Sequence, residues 1–114
     1  MIEKHLVTLK EVIDDFQLEI VTGHSIVDDI AITTSDINRP GLQLTGYMEN
    51  FGNDRIQIVG MVETSYLEVM SPEERHKRLE AYFKLGFPCV VITRGLDVFD
   101  EMLQVSAECQ IPIL

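Results

Sequence analysis

Basic side chains are scarce in this 114-residue chain: nine Lys and Arg stand against nineteen Asp and Glu, for a formal net charge of −10 at neutral pH. A phosphate backbone would be repelled by that balance, so no nucleic acid is expected as a partner. An acidic surface suits solubility or a basic protein partner. There are two cysteines, Cys89 and Cys109, in apolar settings without a CxxC pairing. That pattern reads as reduced, buried thiols of a cytoplasmic protein rather than a disulfide. No run approaches the roughly 18 apolar residues of a membrane span, and "MIEKHLVTLK" holds no apolar stretch of signal-peptide length. A soluble, cytoplasmic chain with no membrane partner is the expectation.

Recognisable catalytic groups are equally sparse. The three histidines, His5, His24 and His76, are scattered, and neither HExxH nor a His/Cys cluster is present, so no metal site is expected. His76 lies near the inner edge of its helix, where packing or capping accounts for it. Asp14-Asp15 and Asp28-Asp29 are sequence neighbours whose side chains point apart, as solvated faces rather than acid/base pairs. A GxSxG nucleophile elbow is missing, and neither cysteine has a histidine in local register.

The residues that remain describe an ordinary globular domain, 46% apolar and 25% charged. At this length residues 1–114 form one domain, able to bury roughly two-thirds of the unfolded surface without staples. Thr8 and Glu11 fit a capping box, with Leu9, Val12, Ile13 and Phe16 at helical spacing behind it and a brief strand, "HLV", ahead. "LEIVTG" (Leu18–Gly23) reads as a strand closed by glycine, residues 24–29 as a polar turn, and "DIAIT" (Asp29–Thr33) as another short strand. "LQLTGYM" suits a short helix weakened by Gly46. "RIQIVG" (Arg55–Gly60) alternates as a strand should, and "VETSYLEVM" (Val62–Met70) reads as helix. Ser71, Pro72 and Glu74 supply an N-cap, an N1 proline and an N3 glutamate for a helix to about Leu85, with Leu79, Tyr82 and Phe83 inward.

"PCVVITRG" (Pro88–Gly95) is the most apolar strand, continuous rather than alternating, as in a strand covered on both faces. A helix from Asp97 to about Cys109 carries Val98, Met102, Val105 and Cys109 on one stripe, and "IPIL" (Ile111–Leu114) is a last strand. The alternation predicts an α/β fold, a three-layer, mostly parallel sheet with helices on both faces. The expected core is Val12, Ile13, Phe16, Ile58, Leu79, Phe83, Val90, Val91, Ile92, Met102 and Val105. A chain stopping on its last buried strand reads as a truncated chain or a domain boundary.

Two polar loops hold the candidate ligand-binding residues. "GLQLTGY" (Gly41–Tyr47) has glycines at phosphate-loop spacing, but Tyr47 and Met48 stand where Lys and Ser/Thr are needed. In a parallel sheet, ligands bind beyond the carboxyl ends of strands. "TTSDINRPG" offers Thr34, Ser35, Asp36, Arg39 and Gly41. "TRG" offers Thr93, Arg94 and Gly95. If both loops share one sheet edge, Arg39 and Arg94 can hold an anion, supported by a helix N-terminus. The plainer alternative makes Asp36 a local cap and Arg39 its ion-pair partner.

"ITTSDINRPGLQLTGY", "RIQIVGMVETSYLE", "ERHKRLE" and "PCVVITRGL", in this order, resemble the N-terminal domain of bacterial HPr kinase/phosphorylase over nearly the whole chain. The resemblance implies a fold similar to the N-terminal domains of muramyl peptide ligases. It implies a cytoplasmic, homohexameric regulator of carbon metabolism that phosphorylates a serine of HPr with ATP or pyrophosphate and removes that phosphate by phosphorolysis. Catalysis, with ATP and Mg, would then belong to a C-terminal kinase domain, and this segment would hold no cofactor or catalytic residue. Assembly or regulation is the role expected of it, with binding of a phosphorylated metabolite or nucleotide as the alternative.

Overall fold

Thr8 opens the first helix as its spacing to Glu11 predicts. In the computed structural model, which describes residues 7–49 and 51–114, the Thr8 hydroxyl accepts from the Glu11 N–H at 3.2 Å. One of the otherwise unpaired donors of helix α1 (Leu9–Phe16) is thereby satisfied. Strand β1 (Val7–Thr8) pairs antiparallel with β2 (Ala31–Ile32). Of the strand expected at "HLV", only Val7 lies among the described residues. Leu9 and Ile13 are buried, whereas Phe16, expected in the core, is 73% exposed. It overhangs an open groove lined by Val7, Val12 and Ile32, so no packed layer covers it.

Strands β3 (Ile37–Asn38), β4 (Ile56–Val59) and β5 (Val90–Ile92) form a parallel sheet in that order, with Ile37 beside Ile56 and Ile58 beside Val91. β3 lies inside the polar stretch where no strand was expected. Leu18–Gly23 forms no strand. It is an irregular run in which the Val21 and Thr22 N–H groups share the Ile113 carbonyl, at 2.8 and 3.1 Å, and the Ile113 N–H donates to the Thr22 hydroxyl. A side chain there replaces the ladder a strand would have extended. The last segment is extended alongside β5: Val90 N–H donates to Pro112 O, and Ile92 N–H to Leu114 O.

Two longer helices cover one face of this sheet. Ser71 caps α4 (Pro72–Phe83) by accepting from Glu74 N–H at 3.2 Å, with Pro72 at the first helical position. Leu79, Tyr82 and Phe83 point inward and are fully buried. Helix α5 (Asp100–Cys109) begins three residues later than the expected Asp97, because Phe99 stays extended with its ring under the Arg75 guanidinium, 4.3 Å away. Val90 and Val59 join these helices in one apolar cluster. Val91 and Ile56 pack into a second with α1, Val27 and Ile32. Successive residues of β5 thus serve opposite faces, which makes the fold α/β with a parallel sheet between helical layers.

Within β4 the buried face is not the one that alternation suggests. Gln57 and Val59 are buried, while Ile56 and Ile58 are only partly so. The Gln57 carbonyl oxygen accepts from Asn38 Nδ2 at 2.8 Å and from the Tyr82 hydroxyl at 2.7 Å, and its Nε2 donates to Arg55 O. Asn38 Nδ2 also reaches Gln43. A satisfied polar network is stable in a dry interior, and this one ties β3, β4 and α4 together. Among the described residues no helix is long and apolar enough to cross a membrane.

Candidate functional site

Because β3, β4 and β5 are parallel, their carboxyl ends meet at one edge. Arg39 follows β3, Gly60 follows β4, and Thr93 and Arg94 follow β5. These four line one crevice of about 270 Å³, with Ile58, Met61 and Val62 supplying its apolar wall. Gly60 caps helix α3 (Met61–Glu68), and its missing side chain matters. A Cβ there would lie 2.8 Å from Arg39 Nη2 and 3.2 Å from Thr93 Oγ1, so glycine lets the guanidinium rest over the backbone.

Glu63 completes the arrangement. Its carboxylate, 4% exposed, reaches back one turn to accept from Gly60 N–H at 2.8 Å and receives Arg39 Nη2 at 3.0 Å. The positive end of α3 is therefore already occupied by its own third residue. The expected support of an external anion by a helix N-terminus is not available at α3.

Thr93 stays in the ladder through its N–H to Val59 O at 3.1 Å, while its hydroxyl sits 3.5 Å from the same oxygen, the limit of a hydrogen bond. The chain then turns sharply. Arg94 and Gly95 take φ values of 59° and 63°, closed by Leu96 N–H to Thr93 O at 3.2 Å. Two consecutive left-handed residues suit Asn and Gly. An arginine there costs about 1–2 kcal/mol relative to an ordinary conformation.

Of the eight expected residues, then, Arg39, Thr93 and Arg94 come together, with Gly95 beside them in the turn. The others do not join. Thr34, Ser35 and Asp36 precede β3 and so sit at the amino end of the sheet. There Thr34 Oγ1 accepts from Asp36 N–H at 3.1 Å, and Thr34 and Ser35 border the groove beneath Phe16. Asp36 is not the partner of Arg39. It faces Arg55, which precedes β4, at 3.9 Å between exposed groups. Opposite ends of a parallel strand cannot serve one pocket, which separates the two halves of the loop. Gly41 begins the short helix α2 (Gly41–Leu44), exposed and with open space where a side chain would stand. That helix also occupies the place of the glycine-spaced segment, which forms no phosphate loop.

Gly60 and Glu63 were missed by sequence reasoning. The signal was present in "GMVE", a glycine followed at the third position by glutamate at a strand-to-helix junction. Elsewhere, His76 faces Glu80 at 3.6 Å on α4. Cys89 is buried and Cys109 partly so, both as free thiols. Burial raises the Cys89 thiol from its ordinary 9.0 to about 12, which makes it inert at neutral pH.

A family model described as HPr Serine kinase N terminus matches residues 7–114. The chain is 43% identical over 109 residues to HPr kinase/phosphorylase of Clostridium perfringens strain SM101, covering 95% of this chain and 34% of that protein. With the Clostridium tetani protein of the same name it shares 45% identity over 100 residues, 88% of this chain and 32% of that one. The Streptococcus thermophilus protein of that name is 41% identical over 108 residues, 95% and 35% of the respective chains. The chain spans about a third of the length of these relatives.

Proposed function

Because this chain belongs to the HPr serine kinase N-terminal family, we infer that it serves as the non-catalytic assembly and regulatory domain of a bifunctional HPr serine kinase/phosphorylase of carbon metabolism. ATP, Mg²⁺ and HPr would then be handled by a C-terminal kinase domain. Tyr47 and Met48, in place of the phosphate-gripping pair, support the lack of catalysis in this segment.

The observation that carries the assembly reading is an uncovered apolar stripe on α3 and Val69, the residue that caps its carboxyl end. Val62, Tyr66 and Val69 fall at i, i+4 and i+7 on one face, with exposures of 71%, 37% and 82%. Helix α2, which packs against α3, adds Leu42 at 63%. A monomer surrounded by water gains nothing from such a stripe, whereas burial against another copy or the parent's other domain stabilises it.

Sedimentation equilibrium of the 114-residue chain tests this. Self-association that is lost in Val69→Glu and Tyr66→Ser, with unchanged far-UV circular dichroism, supports an assembly face on α3. A chain that stays monomeric at high concentration, and whose variants leave the assembly of the longer protein intact, would remove that role. The isolated chain is also expected to transfer no phosphoryl group to HPr. Transfer above a mock preparation overturns the non-catalytic assignment.

A further inference from the structure

Arg39 and Arg94 face one crevice from neighbouring strand ends, and we propose that this crevice binds the phosphate group of a small phosphorylated metabolite. The local charge runs against that of the chain. In a protein of net charge −10, the described residues lining this crevice include two arginines and no acid, with Glu63 held against Arg39 beside it. Glu63 is spoken for by Gly60 N–H and by Arg39 Nη2. Among the described residues Arg39 has no hydrogen bond from Nε or Nη1, and Arg94 has neither a hydrogen bond nor an ion pair. With Glu63 offsetting Arg39, the crevice keeps a net positive charge on Arg94 and free donors on both guanidinium groups, which an oxyanion can accept from. A phosphate offers each a planar pair of acceptors.

Two further features select the ligand. The Thr93 hydroxyl, only loosely held at 3.5 Å from Val59 O, can turn to donate to a phosphate oxygen. The volume of about 270 Å³ lies just below the roughly 300–1,000 Å³ of pockets for drug-sized ligands. Ile58, Met61 and Val62 provide an apolar wall for a short carbon skeleton. The left-handed backbone of Arg94 keeps its side chain beside this hollow at a conformational cost that glycine would not incur. The site stands independently of the α3 assembly face: only Val62 belongs to both, and the variants Val69→Glu and Tyr66→Ser leave the crevice untouched.

Thermal melts of the 114-residue chain at matched ionic strength, in chloride, inorganic phosphate or glycerol 3-phosphate, test the proposal. A ligand that binds only the folded chain raises its Tm by mass action. The expected rise is about 2–6 °C in 10 mM glycerol 3-phosphate, smaller in inorganic phosphate, with amide shifts centred on Gly60, Arg94 and Gly95. Arg94→Gly should melt higher than the native chain in chloride and lose the phosphate-dependent rise. A purely structural Arg94 would not give that pair of results. No rise above chloride, equal rises with the two phosphates, or a rise retained in Arg94→Gly would each overturn it.

Discussion

Arg75 and Arg94 mark two regions of the molecule built on opposite terms. Arg75 sits where α3, α4 and α5 converge, its side chain 12% exposed. Its Nε donates to Leu67 O, its Nη2 to Glu68 O and Met70 O, and its Nη1 to the Glu101 carboxylate at 2.6 Å. Leu67 O also accepts from Met70 N–H at 3.1 Å, and the Glu68 and Met70 carbonyls lie where the helix ladder runs out of donors, so one guanidinium closes a helix, neutralises an acid and covers the Phe99 ring. Arg94 stands in solvent in a strained turn, with no hydrogen-bond or ion-pair partner among the described residues. The same side chain is a structural clamp in one place and an open hand in the other. What separates them is whether the donors are already satisfied.

The largest effect should come from breaking the clamp. Arg75→Ala strands the Glu101 carboxylate together with the Glu68 and Met70 carbonyls, and urea unfolding should show a loss of about 3 kcal/mol. Arg75→Lys should recover little of it, since an ammonium cannot reach several carbonyls in one plane. A loss under about 1 kcal/mol would erase the contrast with Arg94. Next comes the Gln57 network, which belongs to the satisfied interior. Gln57→Leu removes the acceptor of Asn38 and Tyr82, and should lower stability by about 2 kcal/mol in the same assay.

A pH titration sharpens the interior side of the comparison. Burial raises the Cys89 thiol from 9.0 to about 12, and the Tyr82 hydroxyl is raised as well, chiefly by burial. Above about pH 9 the unfolded chain loses the Cys89 proton while the folded chain keeps it. The folded state then binds more protons, so stability should fall progressively as pH rises from about 9 towards 12. Cys89→Ser should flatten part of that fall in chemical unfolding run across the alkaline range.

The smallest effect should have the opposite sign. Arg94→Gly relieves the left-handed turn while giving the unfolded chain more freedom, for a net gain of about 0.5–1 kcal/mol. A loss of stability instead would show that Arg94 also supports the fold.

Helices and their caps were largely legible in the sequence, because Thr8, Ser71 and Pro72 act within a few residues of themselves. The α/β class was legible too, from the unbroken apolar run of β5. The misreadings were tertiary. Alternation in "RIQIVG" named a buried face but not which one, since Gln57 takes a core position only because Asn38 and Tyr82 arrive to satisfy it. Phe16 has the right spacing for the core and the wrong neighbours. For the site, the idea of convergent strand ends was legible, and it selected Arg39, Thr93 and Arg94. It also grouped Thr34, Ser35 and Asp36 with them, because the two-residue strand that separates the groups hides among polar residues. The partner of Arg39 is 24 positions away, beyond the reach of any local pattern.

The bonding of Ile113 to Thr22 has a consequence in time. The two residues are 91 positions apart, and Thr22 also meets Ser106 across 84 positions at 2.6 Å. On a ribosome adding roughly 5–20 residues per second, Thr22 waits about 5–18 s for the segment that completes its hydrogen bonds. Helix α1 and the β1–β2 pair can form early, but the sheet closes only as residues 111–114 arrive. From the synthesis of β5 (Val90–Ile92) to that of Ile113, about 1–4 s at the same rate, the apolar edge of β5 is bare, and the nascent chain is most exposed to mispairing.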